Sequence, residues 1–141
     1  GGYATMDIDI ICDARIIKID EQLKPLGFER EGKYWTLDNS EIAIEVPSGP
    51  LAGEYDKVTK VVVKDLDLAT YIIGIEDIII DRLNRYKHWR EYSDKEWIIG
   101  MMIFHHIHID WDYLYEKAEY EQTLDVLEEF KTIADEEKDE L

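Results

Sequence analysis

Apolar and acidic residues alternate from Thr5 to Ile11, with Met6, Ile8 and Ile10 set against Asp7 and Asp9. That period of two predicts a half-buried strand. Asp7 and Asp9 then share one face, their Cα atoms roughly 6.5–7 Å apart along the strand. Ile16, Ile17, Ile19, Leu23 and Leu26 next follow a mostly helical spacing, which predicts a helix capped by Asp13 and ended by Pro25 and Gly27. Strands over 28–31 and 34–37 flank a Gly32-Lys33 turn, and Asp38-Asn39-Ser40 is a turn cluster. Glu41 to Val46 reads as a further strand with Glu41, Ala43 and Glu45 on one face and Ile42, Ile44 and Val46 on the other. After the loop Pro47 to Gly53, two β-branched runs, Lys57 to Val63 and Leu68 to Ile73, complete a set of four or five strands.

From Ile75 the period lengthens. Ile75, Ile78, Ile79, Arg82, Leu83, Tyr86 and Trp89 fall at helical spacing, and Ser93-Asp94-Lys95-Glu96 has the form of a capping box that opens a second helix. Asp110 is placed to cap a third over Trp111 to Glu119, and Gln122 to about Glu136 forms the last. The pattern predicts an α+β protein: a mixed sheet with one flanking helix over 1–74, then a helical subdomain over 75–141.

Composition narrows the function. The net charge is −17, which argues against sequence-independent binding of long duplex nucleic acid, an interaction that depends on Lys and Arg at phosphates. It suits metal ions or a basic protein partner instead. No apolar run approaches the length of a membrane span, and no signal peptide opens the chain. A single cysteine, Cys12, excludes an internal disulfide, and a cytoplasmic setting is expected.

Acids are depleted in strands, and like charges sharing a face repel unless something cationic offsets them. A divalent ion between Asp7 and Asp9 would remove that penalty, and carboxylate oxygens are what Mg²⁺ prefers. The plain alternative is an edge strand with a solvated acidic face. Two-metal phosphoryl transfer holds cations about 3.5–4 Å apart, which one carboxylate pair rarely does alone. Glu45 would complete a three-carboxylate site if its strand lay beside the first. Glu41, next to the turn cluster, is the weaker choice.

Thr5-Met6-Asp7-Ile8-Asp9-Ile10 resembles the Asp-x-Asp strand of the DNA polymerase β-type nucleotidyltransferase superfamily. Together with Glu45-Val46-Pro47 and the run Ile75-Glu76-Asp77-Ile78-Ile79-Ile80-Asp81-Arg82-Leu83, followed by Trp89 and Ser93-Asp94-Lys95, the chain is similar to its small predicted-nucleotidyltransferase and abortive-infection toxin-like branch. The resemblance implies a nucleotidyltransferase fold in which Asp7, Asp9 and Glu45 hold Mg²⁺ (or Mn²⁺) and a nucleoside triphosphate. A nucleotide would pass to an RNA-end or protein hydroxyl with release of pyrophosphate. It also implies a phosphate-binding role for Arg82 and for a Gly-Gly element. Here Gly1-Gly2 is separated from Asp7 only by Tyr3 to Met6, closer than the family places that element, so the phosphate-binding glycines and their helix are expected to lie outside this chain. An acidic, antitoxin-like interaction protein or an inactive relative on the same fold is the alternative.

Two further groups attract attention. His105, His106, His108 and Asp110 invite a zinc reading, but their spacing fits no closed site and they sit at a helix junction, where histidine interacts favourably with the helix dipole. Tyr86, Trp89, Tyr92 and Trp97, interleaved with Arg85, Lys87 and Arg90, would either stack bases or pack between helices; packing is the expectation.

Overall fold

The structure, a computed structural model, describes residues 7–38 and 40–139. It is α+β, with two small sheets and five α-helices among the described residues. The chain divides into two compact units, Gly1–Leu51 and Ala52–Leu141. The division expected from the sequence lay between 74 and 75. In the structure the strand pair that precedes residue 74 joins only to itself and forms a separate sheet.

The first unit carries strands β1 (Asp7–Asp9), β2 (Phe28–Glu31), β3 (Tyr34–Leu37) and β4 (Ala43–Glu45), with helix α1 (Ile16–Leu23) between β1 and β2. The sheet order is β1-β4-β3-β2, so β4 inserts beside β1. β1 and β4 run parallel and the other pairs are antiparallel. Thr5 and Met6 lie outside the described residues. Gly32 and Lys33 alone connect β2 to β3. Gly32 takes φ +64 while Lys33 keeps a negative φ, the pattern of a two-residue hairpin with glycine at the first central position.

Register sorts the sheet into two faces. Ile8, Ile44, Trp35 and Arg30 are cross-strand neighbours on one side. Trp35 and Ile44 are buried there, and the Trp35 indole N–H donates to Asp20 of α1 at 2.6 Å. That bond fixes the helix against the apolar face. The other face carries Asp7, Asp9 and Glu45. Asp13 does not cap α1: the residue before the helix is Arg15, with no side-chain cap.

In the second unit, β5 (Thr59–Val63) and β6 (Leu68–Ile72) form an antiparallel hairpin. α2 (Ile75–His88), α3 (Asp94–His105), α4 (Trp111–Tyr120) and α5 (Leu124–Asp139) follow. Their core joins Ile79 and Leu83 of α2, Ile98 and Met102 of α3, Leu114 and Ala118 of α4, and Leu127 and Phe130 of α5, all fully buried. The spacing of three to four residues on each helix puts these side chains on one stripe, so the helices associate by burying apolar surface. Ser93 precedes α3 but bonds no backbone N–H there, so the expected capping box does not form. Asp110 does cap α4, accepting from Tyr113 N–H at 3.1 Å. α4 ends in a Schellman motif, with Thr123 N–H on Ala118 O and Gln122 N–H on Glu119 O.

Glu76 and Asp77 open α2 and are buried, at 8% and 4% exposure. Each carboxylate finds backbone donors. Glu76 accepts from Asp110 N–H at 2.8 Å. Asp77 accepts from Glu54 N–H at 3.0 Å and from the Tyr113 hydroxyl at 2.7 Å. A Cβ on Gly53 would collide with the Asp77 carboxylate, so the loop leading to Glu54 approaches α2 only because it carries glycine. No helix among the described residues is long and apolar enough to cross a membrane.

Candidate metal centre

Strand pairing brings the three carboxylates together. In the parallel β1–β4 ladder Asp7 lies opposite Ala43 and Asp9 opposite Glu45. Neighbouring strands are about 4.8 Å apart and side chains alternate faces, so Asp7, Asp9 and Glu45 must project to the same side. One oxygen from each lies within 4.8 Å of the others. Among the described residues this is the one group of three or more acidic, histidine or cysteine side chains so disposed.

The electrostatics follow from that proximity. The Asp9 carboxyl is pushed above its ordinary value, by partial burial first and then by the charges of Asp7 and Glu45, with Lys33 acting in the opposite direction. Lys33 reaches back from the β2–β3 turn to donate from Nζ to Glu45 Oε1 at 2.7 Å, and its ammonium lies 4.8 Å from the centroid of the Tyr34 ring. Glu45 in turn raises the Lys33 ammonium above its ordinary value, chiefly through that hydrogen bond.

The donor set suits a hard divalent cation. All three groups offer oxygen. Two oxygens on one Mg²⁺ at about 2.1 Å are separated by at most about 4.2 Å. Small side-chain rotations would bring carboxylate oxygens spread over 4.8 Å into that range. Repulsion among the acids gives the cluster a reason to take up positive charge.

No family model, curated protein or solved structure matches this chain.

The other residues expected at the site stand differently. Gly1 and Gly2 lie outside the described residues. Arg82 belongs to the second unit, midway along α2, where its guanidinium is 4.0 Å from Asp81. The histidine run does not gather into a metal-binding group among the described residues. His106 Nε2 instead meets Asp135 Oδ1 at 3.2 Å, and its ring packs beside Trp111. Of the aromatic group, Tyr86 packs edge-on against Phe130 and Tyr92. Arg85 pairs with Asp94 and Glu91, and Lys87 with Asp125. Trp89, by contrast, is 70% exposed.

Lys33 is a site residue that the sequence pattern did not single out. It sits in a tight turn, where a lysine is normally solvated. Its contact with Glu45 follows from the β3–β4 register, which sets Tyr34 opposite Glu45 and which residue type and spacing do not specify.

Proposed function

We propose that this chain is a metal-dependent nucleotidyltransferase, which moves a nucleotide from a nucleoside triphosphate to a hydroxyl of an RNA end or of a protein. The observation that carries the reading is the convergence of Asp7, Asp9 and Glu45 on one face of two parallel strands. Those three carboxylates would hold Mg²⁺ or Mn²⁺. When bound, the metal supplies the positive charge that offsets charge building on phosphate oxygens during in-line displacement.

The chain's own part is positioning. The carboxylates are carried by paired strands, whose backbone hydrogen bonds hold the ligands in register, and the Trp35–Asp20 bond braces the opposite face.

The test is transfer of label from nucleoside triphosphates labelled at the α-phosphate, with Mg²⁺ or Mn²⁺, into RNA and protein acceptors. Label incorporation with pyrophosphate release is expected, falling by about 10²-fold or more in Asp7→Asn and Asp9→Asn while both variants melt as folded proteins. Full nucleotide turnover by both variants contradicts the proposal.

A second reading, an acidic interaction protein or an inactive relative, is favoured by the β5–β6 hairpin. Val61, Val63, Leu68 and Ile72 share one face of it and are exposed, and clustered exposed apolar residues mark interaction surfaces. That reading predicts no turnover by the wild type and co-purification with a basic protein at low salt.

A further inference from the structure

We infer that Lys33 is an exchange cation: it holds Glu45 when no metal is present, yields that carboxylate to an incoming divalent ion, and then binds the phosphate delivered with it. The inference rests on the metal-centre reading above and assigns a role to a residue outside the carboxylate set.

Three observations carry it. First, Lys33 Nζ donates to Glu45 Oε1 at 2.7 Å, so one oxygen of the third ligand is engaged by an ammonium. A metal drawing on that oxygen competes with Lys33, because a carboxylate oxygen held at hydrogen-bond distance from a cation is a poorer donor to a second one. Second, the pair is unevenly anchored. The Glu45 side chain is 16% exposed on a central strand, whereas Lys33 is 64% exposed on a two-residue turn. The lysine is the partner free to move, and an exposed ammonium on a flexible stem loses little on release. Third, its surroundings keep it at the site. The Tyr34 ring lies beneath the ammonium at 4.8 Å.

Released from Glu45, Lys33 is a point charge on the rim of the carboxylate face, with three donors and no acceptor. The chemistry that recognises such a group is an anion, and on the function proposed above that anion is the triphosphate delivered with the metal. Metal ions and phosphate oxygens together replace the Lys33–Glu45 contact by two better-matched ones. The ligand class is therefore a metal–polyphosphate, bound in a step that metal uptake prepares.

The experiment compares calorimetric titrations of the full chain and of Lys33→Gln, Lys33→Arg and Asp9→Asn. Each is titrated with Mn²⁺ alone and then, at saturating Mn²⁺, with inorganic triphosphate. Lys33→Gln is expected to bind Mn²⁺ roughly two- to fivefold more tightly than wild type, the scale of an exposed ion pair. The same variant is expected to bind triphosphate at least severalfold more weakly, with Lys33→Arg close to wild type in that second titration. This opposite response is the signature of exchange. Unchanged Mn²⁺ affinity in Lys33→Gln overturns the inference, and so does weaker Mn²⁺ binding, which would make Lys33 a brace for Glu45. Unchanged triphosphate affinity overturns the phosphate step. If wild type and Asp9→Asn alike take up no Mn²⁺, the metal-centre reading itself fails. That outcome is distinct from a wild type that binds while Lys33→Gln matches it.

Discussion

At the scale of single residues, acidic side chains divide into two populations that look alike in the sequence. Asp7, Asp9 and Glu45 converge with their charges on one sheet face. Glu76 and Asp77 are buried and taken up by hydrogen bonds that tie α2 to the loop at Glu54 and to α4. The first group was legible because strand parity fixes which residues share a face. The second was not, because an acid at a helix start is ordinarily a solvated partner of the dipole. Burial also pushes the Tyr113 hydroxyl above its ordinary value, aided by its bond to Asp77. Removing the Asp77 carboxylate leaves the Glu54 N–H and the Tyr113 hydroxyl without their acceptor. Asp77→Ala should therefore destabilise the chain by about 2–3 kcal/mol in equilibrium denaturation. A loss below about 0.5 kcal/mol, the range of ordinary surface substitutions, would mean that water replaces the carboxylate.

At the scale of elements, the strands and helices lie close to where periodicity put them, and the departures have identifiable causes. β2 and β3 coincide with their predicted spans because alternation and a glycine turn agree. β5 and β6 were legible as strands, but their separation into a second sheet was not, since strand pattern does not specify which partner a strand takes. Caps followed the same rule. Ser93 and Asp13 had the right residue type yet make no cap, whereas Asp110 does, with Lys57 Nζ at 2.8 Å on its other oxygen.

The Asp110 carboxyl is held below its ordinary value, first by Lys57 and then by the Tyr113 N–H. A depressed value in the folded chain means that ionised Asp110 stabilises the fold at pH values above the ordinary 3.8, and that this contribution disappears as pH falls through the folded value. Asp110→Asn keeps a cap of similar shape without the charge. Its melting temperature should lie below wild type near pH 6, and the gap should close as pH falls toward 3. A gap that stays constant with pH would show that the charge on Asp110 contributes nothing to stability.

At the scale of the whole molecule, two compact units of different character share one strongly acidic chain. The helical unit owes its order to a continuous apolar core. The sheet unit buries few large side chains, chiefly Trp35 and Ile44, and carries the carboxylate cluster on its other face. Repulsion among those acids is offset in part by Lys33. The α+β class and the shared face of Asp7 and Asp9 could be read from residue types and spacing, whereas the place of Glu45 beside them depended on strand order. The Lys33 contact could not be read, because it depends on which strand lies beside β3 and in what register.

The most direct test of the metal centre is a calorimetric titration of Mn²⁺ into wild type and Asp9→Asn, each with and without ATP. Binding by wild type that tightens with ATP and vanishes in Asp9→Asn is the predicted result. No binding by wild type, or equal binding by the variant, would contradict a metal–nucleotide site at Asp7, Asp9 and Glu45.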